Sequence, residues 1–246
     1  GVLGLVGVLV VGAAIGQRLW RNAGANGEER DGKARKVWSG RSFKSAVVVE
    51  AAPVASAIAA GFDSERVWSG FDDWEPAIAA DPLTSDVYQM TTRYDGPKPC
   101  KSCPLPAMIF RRSRDGGATW DADRFLPLTK NAQNDPQIEV ATDGSLYVAW
   151  IDGYTPGIRL TKSSDRGATW STPLSLTPRR GTPNWSDKPI LAISPSGRDV
   201  YLAWNASDSW VASSHDFGAT FGANVKTSND TRYWFHTAAA VAPDGT

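Results

Sequence analysis

Ser113-Arg114-Asp115-Gly116-Gly117-Ala118-Thr119-Trp120 is the stretch that decides the fold, because the chain repeats it twice. The second copy reads Ser163-Ser164-Asp165-Arg166-Gly167-Ala168-Thr169-Trp170, and the third reads Ser214-His215-Asp216-Phe217-Gly218-Ala219-Thr220-Phe221. The aspartates at positions 115, 165 and 216 are spaced 50 and 51 residues apart. A fixed period of this size indicates repeated supersecondary units, such as the blades of a propeller.

The chemistry of this octapeptide is structural. Its Ser, Asp and Thr side chains can hydrogen-bond nearby backbone groups and so hold a tight turn. The glycine two places after each Asp permits a positive φ, and the closing aromatic ring is large enough to fill space between neighbouring sheets. We therefore expect each copy to form a hairpin turn, which we call the clasp (residues 113–120, 163–170 and 214–221).

Short apolar stretches separated by turn residues precede every clasp. In the second unit they are residues 137–141, 146–150 and 158–162. Such runs indicate β-strands joined by hairpins, and a further strand after each clasp gives four antiparallel strands per unit, which is one propeller blade. We predict an all-β fold, an incomplete β-propeller of three blades with the start of a fourth at residues 237–241. The chain is then expected to be part of a longer protein.

The composition narrows the classes of partner. Lys and Arg total 26, as do Asp and Glu, so no net field attracts nucleic acid. The 11 tryptophans and 23 glycines suit aromatic-filled sheets joined by tight turns. We expect a monomer that does not bind nucleic acid.

The N-terminal third differs from the repeats. Residues 1–16 are uncharged and apolar, which predicts a signal-peptide core or a membrane anchor. Residues 17–45 resemble a basic flexible linker, residues 46–70 an irregular lead-in, and residues 71–246 the partial propeller. The basic linker favours cytoplasmic retention, but long folded domains are exported largely regardless of such charge, so we predict an extracytoplasmic protein that is secreted or membrane-anchored.

The cysteines form one pair, Cys100-Lys101-Ser102-Cys103, in a proline-rich loop. A thioredoxin-like motif would need a βαβ context, and haem attachment would need His where Pro104 stands. A zinc site needs about four ligands, and the sequence offers no metal cluster. We predict a local disulfide, no metal and no cofactor.

Polar residues that open the innermost strand of each unit differ between units: Glu75, Asp135, Lys188 and His236. Equivalent positions of propeller blades ring one end of the central channel, so we expect these side chains to share a ligand site. Neighbouring positions and the loops after the second strands should reach the same face and add Asp187, Arg93, Tyr94, Asp152, Tyr154 and Asn205. This mixture of charged, amide and aromatic groups suits a sugar; alternatively, these are ordinary solvated turn residues.

Residues 71–246 resemble the bacterial neuraminidase repeat, or Asp-box, propellers of the sialidase superfamily. The clasps carry this resemblance, as do Asp187-Lys-Pro-Ile-Leu-Ala-Ile-Ser-Pro-Ser-Gly and Asp199-Val-Tyr-Leu-Ala-Trp, which resemble bacterial proteins labelled exo-α-sialidase. The same structural group includes xyloglucanase-like hydrolases, photosystem assembly factors and sortilin-type receptors. A shared fold by itself does not establish the function.

The resemblance implies a specific set of catalytic residues. The family binds the substrate carboxylate with three arginines, the first in an aromatic-Arg-Ile-Pro motif, and uses an Asp as acid/base and a Tyr–Glu pair as nucleophile. Here the matching stretch is Asp73-Trp74-Glu75-Pro76, with Trp74 in place of the arginine. Asp95, shortly after the second strand of the first unit, matches the acid/base by position.

Three functions are open from the sequence. The first is a propeller that binds glycans or surface proteins without catalysis. The alternative is a glycoside hydrolase of exo-α-sialidase type, and the third is an assembly or scaffolding propeller.

Overall fold

The computed structural model describes residues 69–126, 129–153, 157–177, 186–228 and 236–242. The predicted apolar segment 1–16, the basic linker 17–45 and nearly all of the lead-in 46–70 lie outside these residues, as does Tyr154. No candidate membrane-spanning helix occurs among the described residues.

Twelve strands in the described part of the chain form three sheets of four antiparallel strands, each in chain order. The first sheet contains β1 (Asp73–Ala80), β2 (Val87–Arg93), β3 (Ala107–Ser113) and β4 (Arg124–Phe125). The second contains β5 (Gln133–Val140), β6 (Leu146–Asp152), β7 (Ile158–Ser163) and β8 (Leu174–Ser175). The third contains β9 (Asp187–Ile193), β10 (Val200–Ala206), β11 (Asp208–Ser214) and β12 (Val225–Lys226). The predicted all-β fold of four-stranded antiparallel blades is confirmed.

Two apolar clusters hold the sheets together face to face. Tyr88 and Phe110 of the first sheet pack with Trp150 of the second, and Tyr147 of the second packs with Trp204 of the third. The central strands β2 and β6 are buried along their whole length because both of their faces are covered. Burial of large aromatic side chains from water is the main favourable term in such packing.

The three clasps adopt one hydrogen-bonding pattern. In the first, the Ser113 hydroxyl donates to Asp115 Oδ1 (2.7 Å) and accepts from the Gly117 amide (2.8 Å). Asp115 also accepts from the Thr119 amide (2.8 Å) and the Thr119 hydroxyl (2.6 Å). The second and third clasps repeat these bonds with distances between 2.5 and 3.0 Å. The bonds from the Thr hydroxyl and amide, with that from Ser, lower the pKa of all three aspartates to about 2.

The second clasp also packs against the preceding sheet. A Cβ atom at Gly167, where φ is 82°, would lie 2.5 Å from the Phe110 ring of the first sheet. The Trp170 ring meets Phe110 edge-on, with centroids 5.3 Å apart. The Arg166 guanidinium reaches Asp86 of the first sheet at 3.1 Å. The clasp therefore joins neighbouring sheets in addition to closing its own hairpin.

The predicted first strand of a fourth unit, residues 237–241, is not formed in the structure: residues 236–242 have no strand pairing. An inner strand pairs with the second strand of its own sheet, as β1 does with β2, and the described residues contain no second strand for this unit. The start of a fourth unit therefore stays a prediction.

The strands give the sheets two distinct ends. β1, β5 and β9 all begin at one end, which we call the site end, and the connections from β2 to β3 and from β6 to β7 lie there too. The clasps follow β3, β7 and β11 at the opposite end, which we call the clasp end. This arrangement places the predicted ligand residues and the clasps at opposite ends of the sheets.

Candidate functional site

A cavity of about 140 Å³ lies at the site end, between the first residues of β1, β5 and β9. The four residues predicted to open the inner strands, Glu75, Asp135, Lys188 and His236, all line it. The proline that follows each of the first three also lines the cavity. The structure therefore brings these four side chains together; their role in ligand binding stays a prediction.

The backbone has the same unusual conformation at three of these positions. Glu75, Asp135 and Lys188 have φ values of 55°, 49° and 47°, in the left-handed region that residues other than glycine rarely occupy. The residue before a proline ordinarily prefers extended backbone. Each of the three lies at a break in the pairing register of its inner strand, which is a β-bulge, and a bulge redirects the side chain that it carries.

Lys188 connects the two acids of the cavity. Its Nζ atom lies 3.2 Å from Glu75 Oε1 and 2.9 Å from Asp135 Oδ2. The two carboxyl groups also hydrogen-bond each other, and Glu75 Oε2 accepts the Asp135 amide at 3.1 Å. One residue from each sheet thus contributes to a single polar cluster, which we call the carboxyl–lysine cluster (Glu75, Asp135 and Lys188).

The surroundings of the cluster shift the pKa values of the two acids in opposite directions. Burial, with the hydrogen bond and negative charge of Glu75, raises the pKa of Asp135 to about 8. Burial also acts to raise the pKa of Glu75, but the hydrogen bond from Asp135 and the charge of Lys188 outweigh it and lower that pKa. At neutral pH the pair therefore holds one proton. Burial acts to lower the pKa of Lys188, but the two acids outweigh it and raise that pKa, so the ammonium stays charged.

Two further polar residues adjoin the cluster. Asp187, at the start of β9, hydrogen-bonds Asp135, and burial raises its pKa. The His236 ring nitrogen Nε2 lies 2.8 Å from the Ser209 hydroxyl. Burial lowers the pKa of His236 below its usual value, so the imidazole is neutral at pH 7.

An aromatic pair, Trp74 and Tyr94, adjoins the residues of the cluster. The sequence prediction included Tyr94 among the ligand residues, but it noted Trp74 only as the residue in place of the family arginine. Trp74 directly precedes Glu75 and is 58% exposed, and Tyr94 is 39% exposed. Their ring centroids are 5.8 Å apart, and the Tyr94 hydroxyl donates to Asn134 Oδ1 at 3.1 Å. Asn134 in turn precedes Asp135, so this bond ties the aromatic pair to the residue next to the carboxyl–lysine cluster. Exposed rings adjacent to convergent polar groups are the signal that could have revealed the pair.

Arg93 does not belong to the cavity, contrary to the sequence prediction. It is 2% exposed, and its guanidinium binds Asp73 at 2.6 Å and Asp123 at 2.7 Å. A further hydrogen bond goes to Ser69, and the ring of Phe71 lies 4.5 Å from the guanidinium carbon. These partners occupy the donors that a ligand would need.

Two other predicted ligand residues are also buried. Asp152 accepts hydrogen bonds from Asn131 and Arg159, at 3.1 and 3.0 Å, and from the Thr129 hydroxyl. It therefore fastens the connection between the first and second sheets. Asn205 is fully buried on β10, opposite Asp187 in the strand register.

Asp95, the candidate acid/base, is exposed and does not line the cavity. Its Oδ1 atom accepts the Asp72 amide at 2.7 Å, which ties the loop after β2 to the residues before β1. Cys100 and Cys103, in the same loop, are joined by a disulfide. No group of three or more His, Cys, Asp or Glu residues with metal-binding geometry occurs within the described ranges.

Comparison with known proteins gives partial matches. No protein-family model matches the chain. A sialidase from Bacteroides fragilis (strain YCH46) is 31% identical over 30% of this chain and 19% of its own length. The chain thus spans about a fifth of the curated relative that it matches.

Solved structures show the same architecture. An α-L-arabinofuranosidase from Fusarium graminearum superimposes with a TM-score of 0.50, at 14% identity, over 66% of this chain and 50% of that chain. A Hadza microbial sialidase gives a TM-score of 0.47 at 20% identity, over 63% of this chain and 33% of that chain. The three sheets have the sialidase-like fold of glycoside hydrolases, a β-propeller of which the described residues form three blades.

Proposed function

We propose that the protein binds glycans in the cavity at the site end, and that the carboxyl–lysine cluster serves binding without catalysing hydrolysis. The observation that carries the proposal is the convergence of Glu75, Asp135, Lys188 and His236 on one cavity beside an exposed aromatic pair. Ligand sites typically combine a few convergent polar groups with apolar and aromatic walls.

The polar groups complement sugar hydroxyls. A hydroxyl both donates and accepts hydrogen bonds, so it can donate to the Glu75 carboxylate and accept from the Lys188 ammonium or the protonated Asp135. Hydrogen bonds to charged groups are about twice as strong as those between neutral groups. A ring of hydroxyls that replaces water in the cavity would therefore be held firmly and in a defined orientation.

The aromatic pair supplies the apolar part of the site. The C–H face of a sugar ring is apolar, and Trp74 offers a large exposed indole on which it can stack. Because Tyr94 is tied to Asn134, the pair is held at a fixed position next to the cavity. A sugar in the cavity and a second on Trp74 could belong to the same oligosaccharide chain.

The spacing of the carboxyl groups supports binding over hydrolysis. Glycoside hydrolases place their two carboxyl groups about 5 Å apart, or about 6.5–9.5 Å apart, on opposite sides of the scissile bond. Glu75 and Asp135 instead hydrogen-bond each other, and both contact the Lys188 ammonium. In this arrangement the two carboxyl groups face each other and the lysine.

A glycoside hydrolase is the second candidate. The similarity to the Bacteroides fragilis sialidase favours it, as does the proton that Asp135 keeps at neutral pH, because a general acid needs such a proton. In this case ligand binding would have to separate Asp135 from Glu75, or a carboxylate outside the described residues would have to act with one of them.

We propose that the protein is extracytoplasmic and attached to a membrane, or exported, through residues 1–16. The Cys100–Cys103 disulfide supports this location, because disulfides persist in oxidising compartments. A monomer that presents the site end to surface glycans fits this location. A surface protein as the ligand, and a scaffolding role, are the remaining alternatives.

Two assays on the intact protein test the proposal together. A glycan array measures retention by the wild type and by the Glu75→Ala/Asp135→Ala double variant, and fluorogenic sialic-acid and arabinofuranose glycosides measure turnover. We expect selective glycan retention that the double variant loses, with no turnover. Asp199→Ala is the control and should keep retention, because Asp199 Oδ1 contacts His215 Nδ1 at 2.8 Å and does not line the cavity.

The other outcomes assign a different function. Turnover that depends on Asp135 would establish the hydrolase, and turnover that depends on Asp95 would return the acid/base role to that residue. Unchanged glycan retention by the double variant would show that the binding site lies at other residues. Absence of both retention and turnover would favour a protein partner.

A further inference from the structure

We infer that the cavity selects neutral sugar residues and rejects sugars that carry a carboxylate. This inference rests on the proposed glycan-binding function and names the chemical class of its ligand. The selectivity follows from the net charge of the side chains that line the cavity.

The cation of the cavity is already paired. Lys188 Nζ lies within 3.2 Å of a carboxyl oxygen from Glu75 and of another from Asp135. If both acids are ionised, the carboxyl–lysine cluster has a net charge of −1; if one proton is shared between them, the net charge is zero. The raised pKa of Asp135 supports the second state at neutral pH. In neither state is a positive charge left for a ligand anion.

Among the described residues, those around the cluster do not add a positive charge. Asp187 hydrogen-bonds Asp135 and contributes a further acid. His236, the other basic residue that lines the cavity, is neutral at pH 7 because burial lowers its pKa. Arg93 is buried and ion-paired with Asp73 and Asp123, so its guanidinium cannot turn toward a ligand without breaking those pairs.

A carboxylate in this cavity would meet an unfavourable environment. It would lose its hydration, which is costly for a charged group without a counter-ion, and it would approach the Glu75 carboxylate with the same sign of charge. Recognition of carboxylates ordinarily uses an unpaired guanidinium or ammonium. Neutral hydroxyls, which can donate to Glu75 and accept from Lys188, meet no such cost.

Matched pairs of ligands test the inference on the intact protein. Each pair consists of an oligosaccharide with a terminal neutral hexose and the same oligosaccharide with the corresponding hexuronic acid; lactose and 3′-sialyllactose form an additional pair. Titration calorimetry at pH 7 and moderate salt measures both members. We expect the acidic member to bind at least about tenfold more weakly, which corresponds to about 1.4 kcal/mol. Equal or tighter binding of the acidic member would overturn the inference.

A charge-changing variant locates the origin of the selectivity. Glu75→Gln keeps an acceptor oxygen but removes the negative charge that an incoming carboxylate would meet, so the preference for the neutral member should shrink several-fold. Asp208→Asn is the matched control: Asp208 pairs with Lys226 at 2.9 Å and does not line the cavity. The control should keep the wild-type ratio. An unchanged ratio in Glu75→Gln would overturn the assignment of selectivity to this cluster.

The outcomes distinguish this inference from the function on which it rests. Binding of acidic glycans in preference to neutral ones would contradict the inference and leave glycan binding intact. Binding of neither class would contradict both. Should Glu75→Gln not fold, as judged by its thermal transition, the wild-type ligand pairs decide the inference by themselves.

Discussion

The two ends of the sheets use repetition in opposite ways. At the clasp end, Asp115, Asp165 and Asp216 make the same hydrogen bonds to the same residue types, and their pKa values are all about 2. At the site end, Glu75, Asp135 and Lys188 share one strained backbone conformation but have different side chains. The clasp end repeats the same side chains and hydrogen bonds, whereas the site end repeats only the backbone conformation.

This difference separates structural from functional positions. A turn that has to close every hairpin in the same way requires the same side chains each time. Strained backbone is retained where the surroundings enforce it, and it is concentrated at functional sites. Three equivalent bulges that point an acid, a second acid and a lysine into one cavity build an asymmetric site from symmetric parts.

The largest expected effect comes from filling the space at the second clasp. Gly167→Ala would place a methyl group 2.5 Å from the Phe110 ring at a φ of 82°. Overpacking and left-handed strain together should lower the free energy of unfolding by about 2–4 kcal/mol. Urea unfolding measures this loss, and the affinity of the folded protein for glycans should not change.

Gly116→Ala is the matched control for that variant. Gly116 has a φ of 70°, and a methyl group there meets no heavy atom within 4 Å. The equivalent residues of the other clasps, Arg166 and Phe217, tolerate positive φ, so the cost should stay at or below about 1 kcal/mol. Equal losses in both variants would show that contact between sheets is not what the clasp end provides.

The next effect concerns the aromatic pair at the site end. Trp74→Ala removes an exposed ring that packs on Tyr94, so the affinity for oligosaccharides should fall about tenfold, or about 1.4 kcal/mol. Because Trp74 is 58% exposed, the thermal transition should barely move. Leu83→Ala removes another exposed apolar side chain, 71% exposed and outside the cavity lining, and should bind like the wild type. Titration calorimetry that finds equal affinities for all three proteins would remove the aromatic pair from the site.

A smaller effect should appear when the pH is raised. The pKa of Asp135 is raised to about 8, so its carboxyl keeps the proton below that pH and loses it above. Ionisation removes a donor and makes the cluster net negative, and glycan affinity should fall a few-fold between pH 6 and 9. Burial lowers the pKa of His236 below its usual value, and the two acids raise that of Lys188 above its usual value, so neither group accounts for a change near pH 8. Asp135→Asn should make the profile flat; a rise in wild-type affinity over the same range would contradict the proton assignment.

The smallest effect should come from the ion pair between the first two sheets. Arg166→Met removes contacts with Asp86 at 3.1 Å and Asp81 at 3.6 Å. Asp86 keeps its bond to Arg112 at 2.7 Å, so the free energy of unfolding should fall by less than about 1 kcal/mol. Arg114→Met, at an exposed pair with Asp121, should behave as the wild type in urea unfolding. A loss above about 2 kcal/mol for Arg166→Met would mean that charge, rather than apolar packing, joins the sheets.

The sequence predicts the clasp end well because its interactions are local. The hydrogen bonds that the three clasps share join residues two to four positions apart, such as Ser113 with Asp115 and Thr119 with Asp115. A repeated octapeptide therefore contains nearly all the information about its own turn. The unformed fourth inner strand shows the limit, because a strand also requires a partner.

At the site end, alignment of the repeated units predicted which residues line the cavity. The chemical type of a side chain alone did not. Aligning the units placed Glu75, Asp135, Lys188 and His236 at equivalent positions, and they do line one cavity. Arg93 looked equally suitable, but its partners Asp73 and Asp123 lie 20 and 30 residues away in sequence. Nothing local indicates such burial, nor that Asp95 binds the Asp72 amide. The bulges coincide with the dipeptides Glu75-Pro76, Asp135-Pro136 and Lys188-Pro189, and the sequence did not predict them, because proline after a left-handed residue runs against the usual preference.

A crystal structure of the intact protein with its best-retained neutral oligosaccharide would test the central claim most directly. The account predicts a sugar ring in the cavity, with hydroxyls within hydrogen-bonding distance of Glu75 and Lys188, and a neighbouring ring stacked on Trp74. A sugar bound away from these residues, or one whose scissile bond lies between Glu75 and a second carboxylate about 5 Å or more away, would contradict it.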